Sequence, residues 1–126
     1  MSAVNPPLVP LYTTYGDVGA ILRYPYLFNP RGEWIGTVTA AREVFSIYGT
    51  YVGQISKEWR IIRPRSLDSI PPARKPLKNP GSLVPPAHFP LPSLMPELTP
   101  NLIDVLEEAP ELLPAIDSGE FKPDLD

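Results

Sequence analysis

A short pattern containing two glycines occurs three times between residues 11 and 55, and it most constrains how this chain can fold. Each copy has an apolar–aromatic pair, three turn-forming residues and a glycine, followed by a stretch rich in β-branched and aromatic residues. The first glycines are at positions 16, 32 and 49, and the second glycines are at 19, 36 and 53. This spacing fits one β-hairpin per copy. The pattern therefore predicts an all-β fold, a small repeat of three to four β-hairpins around a pseudo-symmetry axis.

The clearest turn is the segment from Asn29 to Gly32. Asparagine favours the first position of a type I turn, and proline presets φ at the second. Glycine then takes the left-handed conformation that forms a G1 bulge. The second glycine of each copy lies inside the return strand, where glycine indicates a bulge, a bend or a close backbone approach. We expect close packing of neighbouring hairpins there rather than an approach to a ligand.

A fourth copy begins at Ile61 and Ile62 and is not completed, because Ser66 stands where the turn glycine is needed. The last strand is therefore predicted to run from about Trp59 to Arg63. Its outer edge is expected to be free, or to be filled by residues 4–9 or by another chain. An unpaired edge strand is a template for a partner strand.

The repeated unit, aromatic–turn–Gly–aromatic–apolar–Gly, resembles the four-fold β-flower domain of bacterial proteins. The resemblance covers roughly residues 8–65 and implies short hairpins around a pseudo-four-fold axis. The incomplete fourth copy departs from the family pattern, which bears on whether the ring of hairpins closes. No activity is firmly attached to this family, so the resemblance implies no catalytic, cofactor-binding or metal-binding residue.

Composition divides the chain near residue 64, since all 6 Tyr and both Trp precede this point and most of the 19 Pro follow it. A β-domain this small buries only roughly 60% of its unfolded surface, and the chain has no cysteine for disulfides. Oligomerisation or docking onto a larger partner is therefore expected to stabilise it.

The predicted segments are an N-terminal extension at 1–7, the β-hairpin repeat domain at 8–64, a Pro-rich extended segment at 65–98, a short amphipathic helical segment at 99–116 and an acidic C-terminal end at 117–126.

The Pro-rich segment differs from an ordinary disordered spacer because it places large apolar side chains between its prolines. Proline excludes ordinary helix and interior strand, so the segment is expected to be extended. Regular apolar anchors on a stiff extended chain predict a strap that lies along a surface. A free linker is the alternative interpretation.

A short amphipathic helix is predicted after the strap. Thr99 can act as its N-cap, and Pro100 suits the first helical position. Leu102, Val105 and Leu106 form an apolar stripe at helical spacing. A helix of this length is unstable alone, so it is expected to dock either on this chain's own β-domain or in the groove of a partner.

Residue types that carry out chemistry are sparse in this chain. His88 is the only histidine and there is no cysteine, so no catalytic, cofactor or metal site is predicted.

The stretch at 57–78 is basic and the chain beyond it is acidic, while the formal net charge is −3. Nucleic-acid binding by the basic and aromatic residues of 57–78 is the alternative function, which the overall negative charge disfavours. No apolar run reaches the length of a membrane span, and we expect a cytoplasmic location, with attachment to the periphery of a membrane complex left open.

The sequence therefore predicts a non-catalytic accessory or structural subunit. It would dock a small β-domain and an extended C-terminal strap onto a larger protein complex, and homo-oligomerisation is left open. The side chains expected to contact the partner are Trp59, Ile61, Ile62, Phe89, Leu91, Leu94, Met95, Leu102, Val105 and Leu106.

Overall fold

The computed structural model describes residues 7–67 and 69–116. Its main feature is one antiparallel sheet of eight strands in which consecutive strands are neighbours. The strands are β1 (Val9–Tyr12), β2 (Val18–Arg23), β3 (Tyr26–Phe28), β4 (Trp34–Val38), β5 (Glu43–Ser46), β6 (Tyr51–Ile55), β7 (Ile61–Pro64) and β8 (Leu102–Asp104). A four-residue helix, α1 (Val105–Glu108), and a 3-10 turn (Pro110–Leu112) follow. The predicted all-β class is confirmed.

The sheet is curled into a half-barrel. The Tyr12 amide at the end of β1 donates a 2.8 Å hydrogen bond to the carbonyl of Trp59, in the turn before β7. This bond brings the first strand close to the last two. The predicted N-terminal extension at 1–7, apart from Pro7, and the acidic end at 117–126 lie outside the described residues.

Five of the hairpin turns share one geometry. In each turn the amide of the fourth residue donates to the carbonyl of the first, and the side-chain oxygen of the first accepts from the amide of the fifth. Such local side-chain bonds are the reason that Ser, Thr and Asn favour turns. The first residues are Thr13, Asn29, Thr39, Ser46 and Ser56. The fourth residues all have positive φ, and they are Gly16, Gly32, Arg42, Gly49 and Trp59.

Two of the three glycines inside the return strands lie where neighbouring backbones approach closely, as predicted, whereas a Cβ at Gly19 would lie 2.9 Å from the Leu106 side chain of α1. A Cβ at Gly36 would lie 2.5 Å from the Phe45 carbonyl oxygen of β5, and a Cβ at Gly53 would lie 2.5 Å from the Ile62 oxygen of β7. A β-bulge or irregularity also interrupts the register of the β1–β2, β3–β4 and β5–β6 hairpins. Such irregularities bend a strand and increase its twist, which curls the sheet.

The second half of the chain covers both faces of the sheet. On one face, Val105, Leu113 and Ala115 join the buried cluster of the strands. On the other face, Leu83 of the Pro-rich segment is buried against Phe28 and Trp34, and Phe89 packs beside it. Fully burying one such aliphatic side chain contributes about 1.5–3 kcal/mol. The β-domain therefore completes its core with residues from beyond position 64.

The helix predicted within 99–116 is wrong over its first turns. Leu102–Asp104 instead forms β8, in which Asp104 lies opposite Ile62 and Leu102 lies opposite Pro64 of β7. The physical reason is that the edge of β7 offers unpaired backbone groups to an extended chain, whereas a free helix this short is unstable. The edge expected to be free, or to pair with residues 4–9 or another chain, is filled by this chain's own C-terminal segment. The predicted start of β7 at Trp59 is also wrong, because Trp59 occupies the left-handed position of a turn.

The Pro-rich segment crosses the three glycine turns in reverse order. Its described residues form neither helix nor strand. The Arg74 amide donates to the Gly49 carbonyl over 2.9 Å, and nine residues later the Leu83 amide donates to the Gly32 carbonyl over 2.8 Å. After nine more residues, the Pro92 ring lies next to Gly16. The surface along which this strap lies is the chain's own sheet.

Candidate functional site

Three aliphatic side chains on the outer side of the Pro-rich segment are almost completely exposed. The exposed fraction is 88% for Val84, 92% for Leu91 and 97% for Leu94. The backbone between and beside them is held in place, because the Tyr12 hydroxyl donates to the Pro90 carbonyl over 2.6 Å and the Arg60 guanidinium donates to the Pro96 carbonyl over 3.0 Å. Apolar side chains held outward on a fixed backbone are typical of an interaction surface. We call Val84, Leu91 and Leu94 the outer face of the strap.

The ten side chains predicted to contact a partner fall into three groups. Ile61 and Val105 are fully buried in the chain's own core, so they are not available to a partner. Leu91 and Leu94 point to solvent, and Trp59 is partly exposed. The remaining residues are half-buried: Ile62, Phe89, Met95, Leu102 and Leu106.

A second surface feature is a groove beside the turns that begin at Thr39 and Ser56. It has a volume of about 190 Å³, and its lining includes Tyr24, Val38, Arg42, Ile55 and Trp59. The Arg42 guanidinium lies 4.3 Å from the centre of the Trp59 ring, a cation–π contact. Both residues hold left-handed backbone conformations, with φ of 68° and 67°, which is strained for residues other than glycine.

The two turns that place Arg42 and Trp59 were not predicted from the sequence. Neither turn contains glycine, which was the signal used to find the others. Their first residues, Thr39 and Ser56, are separated by the same spacing as Asn29 and Ser46. That spacing, read together with the Ser/Thr/Asn preference at the first position, is the signal that would have found them.

Arg60 lies at the centre of a buried polar network, and its side chain is only 2% exposed. One of its terminal nitrogens donates to the Thr14 hydroxyl over 3.1 Å, and the other pairs with Glu58 over 3.2 Å. The Thr14 hydroxyl in turn donates to Asp104 Oδ2 over 2.7 Å. The network joins the first turn, the last hairpin turn and β8, so it fixes the curl of the sheet.

The pKa values of Tyr12, Glu33, Tyr51 and Glu58 are shifted, and each of these shifts has a structural cause. Burial raises the pKa of Tyr12, and burial followed by the nearby Glu43 raises that of Tyr51. Hydrogen bonds from Asn29 and then Arg31 lower the pKa of Glu33. A hydrogen bond from the Ser56 side chain, and then the contact with Arg60, lower the pKa of Glu58. The two carboxylates are stabilised as parts of turns, which is a structural role.

The arginines of 57–78 are largely engaged inside the protein. Arg60 is buried, Arg63 donates to the Val52 carbonyl over 3.2 Å, and Arg65 pairs with Glu108 over 3.4 Å. The Arg74 guanidinium lies 5.4 Å from the centre of the Phe45 ring. The lysines of this stretch, at positions 57, 75 and 78, are exposed.

Comparison of the chain with protein-family models, with curated proteins and with solved structures found no match. The resemblance to the β-flower family therefore stays a prediction. Within residues 7–67 and 69–116, no helix has the length and apolar character needed to cross a bilayer. Over the same residues, no three His, Cys, Asp or Glu side chains are grouped so that they could hold a metal ion.

Proposed function

We propose that this protein is a non-catalytic accessory subunit that docks onto a larger protein assembly through the outer face of its strap. The observation that supports this proposal is the exposure of Val84, Leu91 and Leu94 on a backbone anchored to the sheet. Burying one such side chain at an interface contributes about 1.5–3 kcal/mol. Because the strap is already ordered, little backbone entropy is lost on docking.

The way in which the subunit engages its partner differs from the sequence-based expectation. The strap was expected to dock, together with the β-domain, onto a surface of the larger complex. In the structure it is bound to its own sheet through the carbonyls of Gly32 and Gly49. The docking unit we propose is therefore the whole folded chain, with the strap as its contact surface.

Nucleic-acid binding through residues 57–78 has weaker support. A basic patch binds phosphate only through side chains that are free to reach it. Arg60 is buried, and Arg63 and Arg65 already donate to groups within the protein. No observation on this segment favours it over protein docking.

The experiment is retention of the full chain in its native assembly after the outer face is made polar. The test variant carries Leu91→Ser and Leu94→Ser. The matched control carries Ile70→Ser and Leu77→Ser, two other exposed aliphatic positions of the strap, which are 62% and 41% exposed. Native mass spectrometry of the tagged protein is expected to show the assembly with the wild type and the control but not with the test variant. Equal retention of all three proteins would contradict the proposal.

A further inference from the structure

A cleft between the first hairpin turn and the β8–α1 segment combines acidic and apolar walls. It has a volume of about 260 Å³, and its lining includes Tyr15 and Leu98 together with three carboxylates, those of Asp104, Glu107 and Glu108. Arg65 also lines the cleft and pairs with Glu108 over 3.4 Å, where both side chains are about half exposed. Among the lining residues one cation therefore stands against three carboxylates, while the buried Arg60 reaches Asp104 through the Thr14 hydroxyl. Within the described chain Glu107 makes no ion pair or hydrogen bond.

Asp104 gives a second and independent indication that this cleft takes a ligand. The residue is only 2% exposed. Its Oδ2 accepts hydrogen bonds from the Thr14 amide and hydroxyl, over 2.6 and 2.7 Å. Its Oδ1 is buried and, among the described residues, has no partner. Asp104 is the N-cap residue of α1 and makes no side-chain capping bond, so neither the helix nor the turn uses this oxygen. A buried acceptor without a donor is destabilising, and a bound donor would relieve that cost.

The chemistry of the lining favours an organic cation over a metal ion. The described part of the chain has no three acidic or imidazole side chains arranged as metal ligands. A lysine side chain matches both kinds of wall, since its ammonium carries three donors and its aliphatic stem packs on apolar surface. Tyr15, which is 77% exposed, lines both this cleft and a neighbouring one of about 200 Å³ that Leu94 and Met95 also line.

We propose that this cleft, which we call the Asp104 cleft, binds a lysine side chain of the partner protein. The ammonium donates to Asp104 Oδ1 and faces Glu107, while the aliphatic stem packs against Tyr15. An apolar residue next to that lysine packs on Leu94 in the neighbouring cleft. This inference rests on the proposed function, because it names the chemistry of the surface that meets the strap.

The test uses the full chain and a short peptide as probe. The probe is an acetylated and amidated Gly-Leu-Lys-Leu-Gly, and its counterpart has glutamine in place of lysine. Titrations of the ¹⁵N-labelled protein are followed at the amides of Thr14 and Glu107. We expect the lysine peptide to shift these amides and to bind about tenfold more tightly than the glutamine peptide, in keeping with a charge-assisted hydrogen bond.

Two substitutions in the cleft and one matched control localise the effect. Asp104→Asn keeps an oxygen for Thr14 but puts a donor where Oδ1 was, and it is expected to weaken binding of the lysine peptide about tenfold. Glu107→Gln is expected to weaken it about threefold, since this pair is solvent-exposed. Glu111→Gln changes the net charge equally, outside the lining of the cleft, and is expected to leave binding unchanged. Thermal unfolding confirms that each variant is folded before binding is compared.

Two outcomes would overturn the inference: equal binding of the two peptides, including no binding of either, or equal weakening by Glu107→Gln and Glu111→Gln. The failure of the proposed function is separate, because Leu91→Ser with Leu94→Ser tests assembly without removing a carboxylate of the cleft. If that variant loses the assembly while the peptides do not discriminate, docking stands and the lysine site falls. If the lysine peptide binds as expected and the assembly survives the strap variant, the cleft binds lysine but docking through the outer face of the strap falls.

Discussion

At the scale of single residues, two glycines decide whether the strap can reach the sheet. A Cβ at Gly32 would lie 1.8 Å from the Leu83 carbonyl oxygen, and one at Gly49 would lie 1.9 Å from that of Arg74. Both glycines also have positive φ, near 90°. A side chain at either position would therefore meet backbone that cannot move away unless the strap itself moves. At Gly32 and at Gly49 the backbone of the turn therefore lies directly against the backbone of the strap.

Gly32→Ala tests this contact, with Gly81→Ala as its control. Gly81 has a similar positive φ, but a Cβ there would have no other atom within 4 Å, so its substitution carries only the backbone cost of about 1–2 kcal/mol. Gly32→Ala is expected to cost a further 1–3 kcal/mol, roughly, because it also displaces the bond from the Leu83 amide. Urea unfolding at pH 7 measures both. Equal losses in the two variants would show that the strap does not lie against this turn.

The turn that begins at Ser56 contributes to stability against acid through Glu58. Its pKa is lowered in the folded protein by the Ser56 hydrogen bond and then by Arg60. A carboxylate whose pKa is lower in the folded than in the unfolded state stabilises the folded protein. This stabilisation is fully present above the unfolded pKa of about 4.3 and is lost as the pH falls through the folded pKa.

Urea midpoints between about pH 6 and pH 2.5 test the role of Glu58. The wild type is expected to lose stability on acidification more steeply than Glu58→Gln. Glu97→Gln, which removes an exposed carboxylate, serves as the control and should follow the wild type. Parallel curves for the wild type and Glu58→Gln would refute the assignment.

At the scale of elements, the most informative piece is the strand β8 with the helix α1 after it. The sequence pattern of Leu102, Val105 and Leu106 fits a helical stripe, yet within residues 99–109 only the four residues of α1 are helical. Local periodicity could not show that the edge of β7 was available, because that edge lies about forty positions earlier in the chain. Pairing between distant segments overrode the local preference. The glycine turns were predictable for the opposite reason, since their signal lies within four residues.

Val105→Ala tests whether this segment belongs to the core. Val105 is fully buried, whereas Val84 is 88% exposed on the strap. We expect Val105→Ala to lower the free energy of unfolding by roughly 2 kcal/mol. The same substitution at Val84 is expected to stay within about 0.5 kcal/mol of the wild type. Chemical denaturation compares the two, and similar small effects would place residues 102–116 outside the folded unit.

At the scale of the whole molecule, the two compositional halves form one interdependent structure. The all-β class of the first half was predicted correctly from the sequence, and its small core was expected to need additional packing. That packing was assigned to a partner or another copy, whereas Leu83 and Val105 of this chain provide it. Proline content indicates an extended chain but carries no information on which surface it follows. The candidate site was likewise only partly predictable. Leu91 and Leu94 were named from the sequence, but Asp104 was taken as part of a helix.

Native-state hydrogen exchange on the isolated chain tests the central claim most directly, that the second half folds onto the first. The amides of Arg74 and Leu83 bond to the Gly49 and Gly32 carbonyls, and the amide of Arg65 bonds to the Asn101 carbonyl. If the strap and β8 lie on the sheet, these three amides are protected from exchange without any partner present. Exchange of all three at the rate of an unstructured chain, while the amides of β2 to β6 stay protected, would contradict the account.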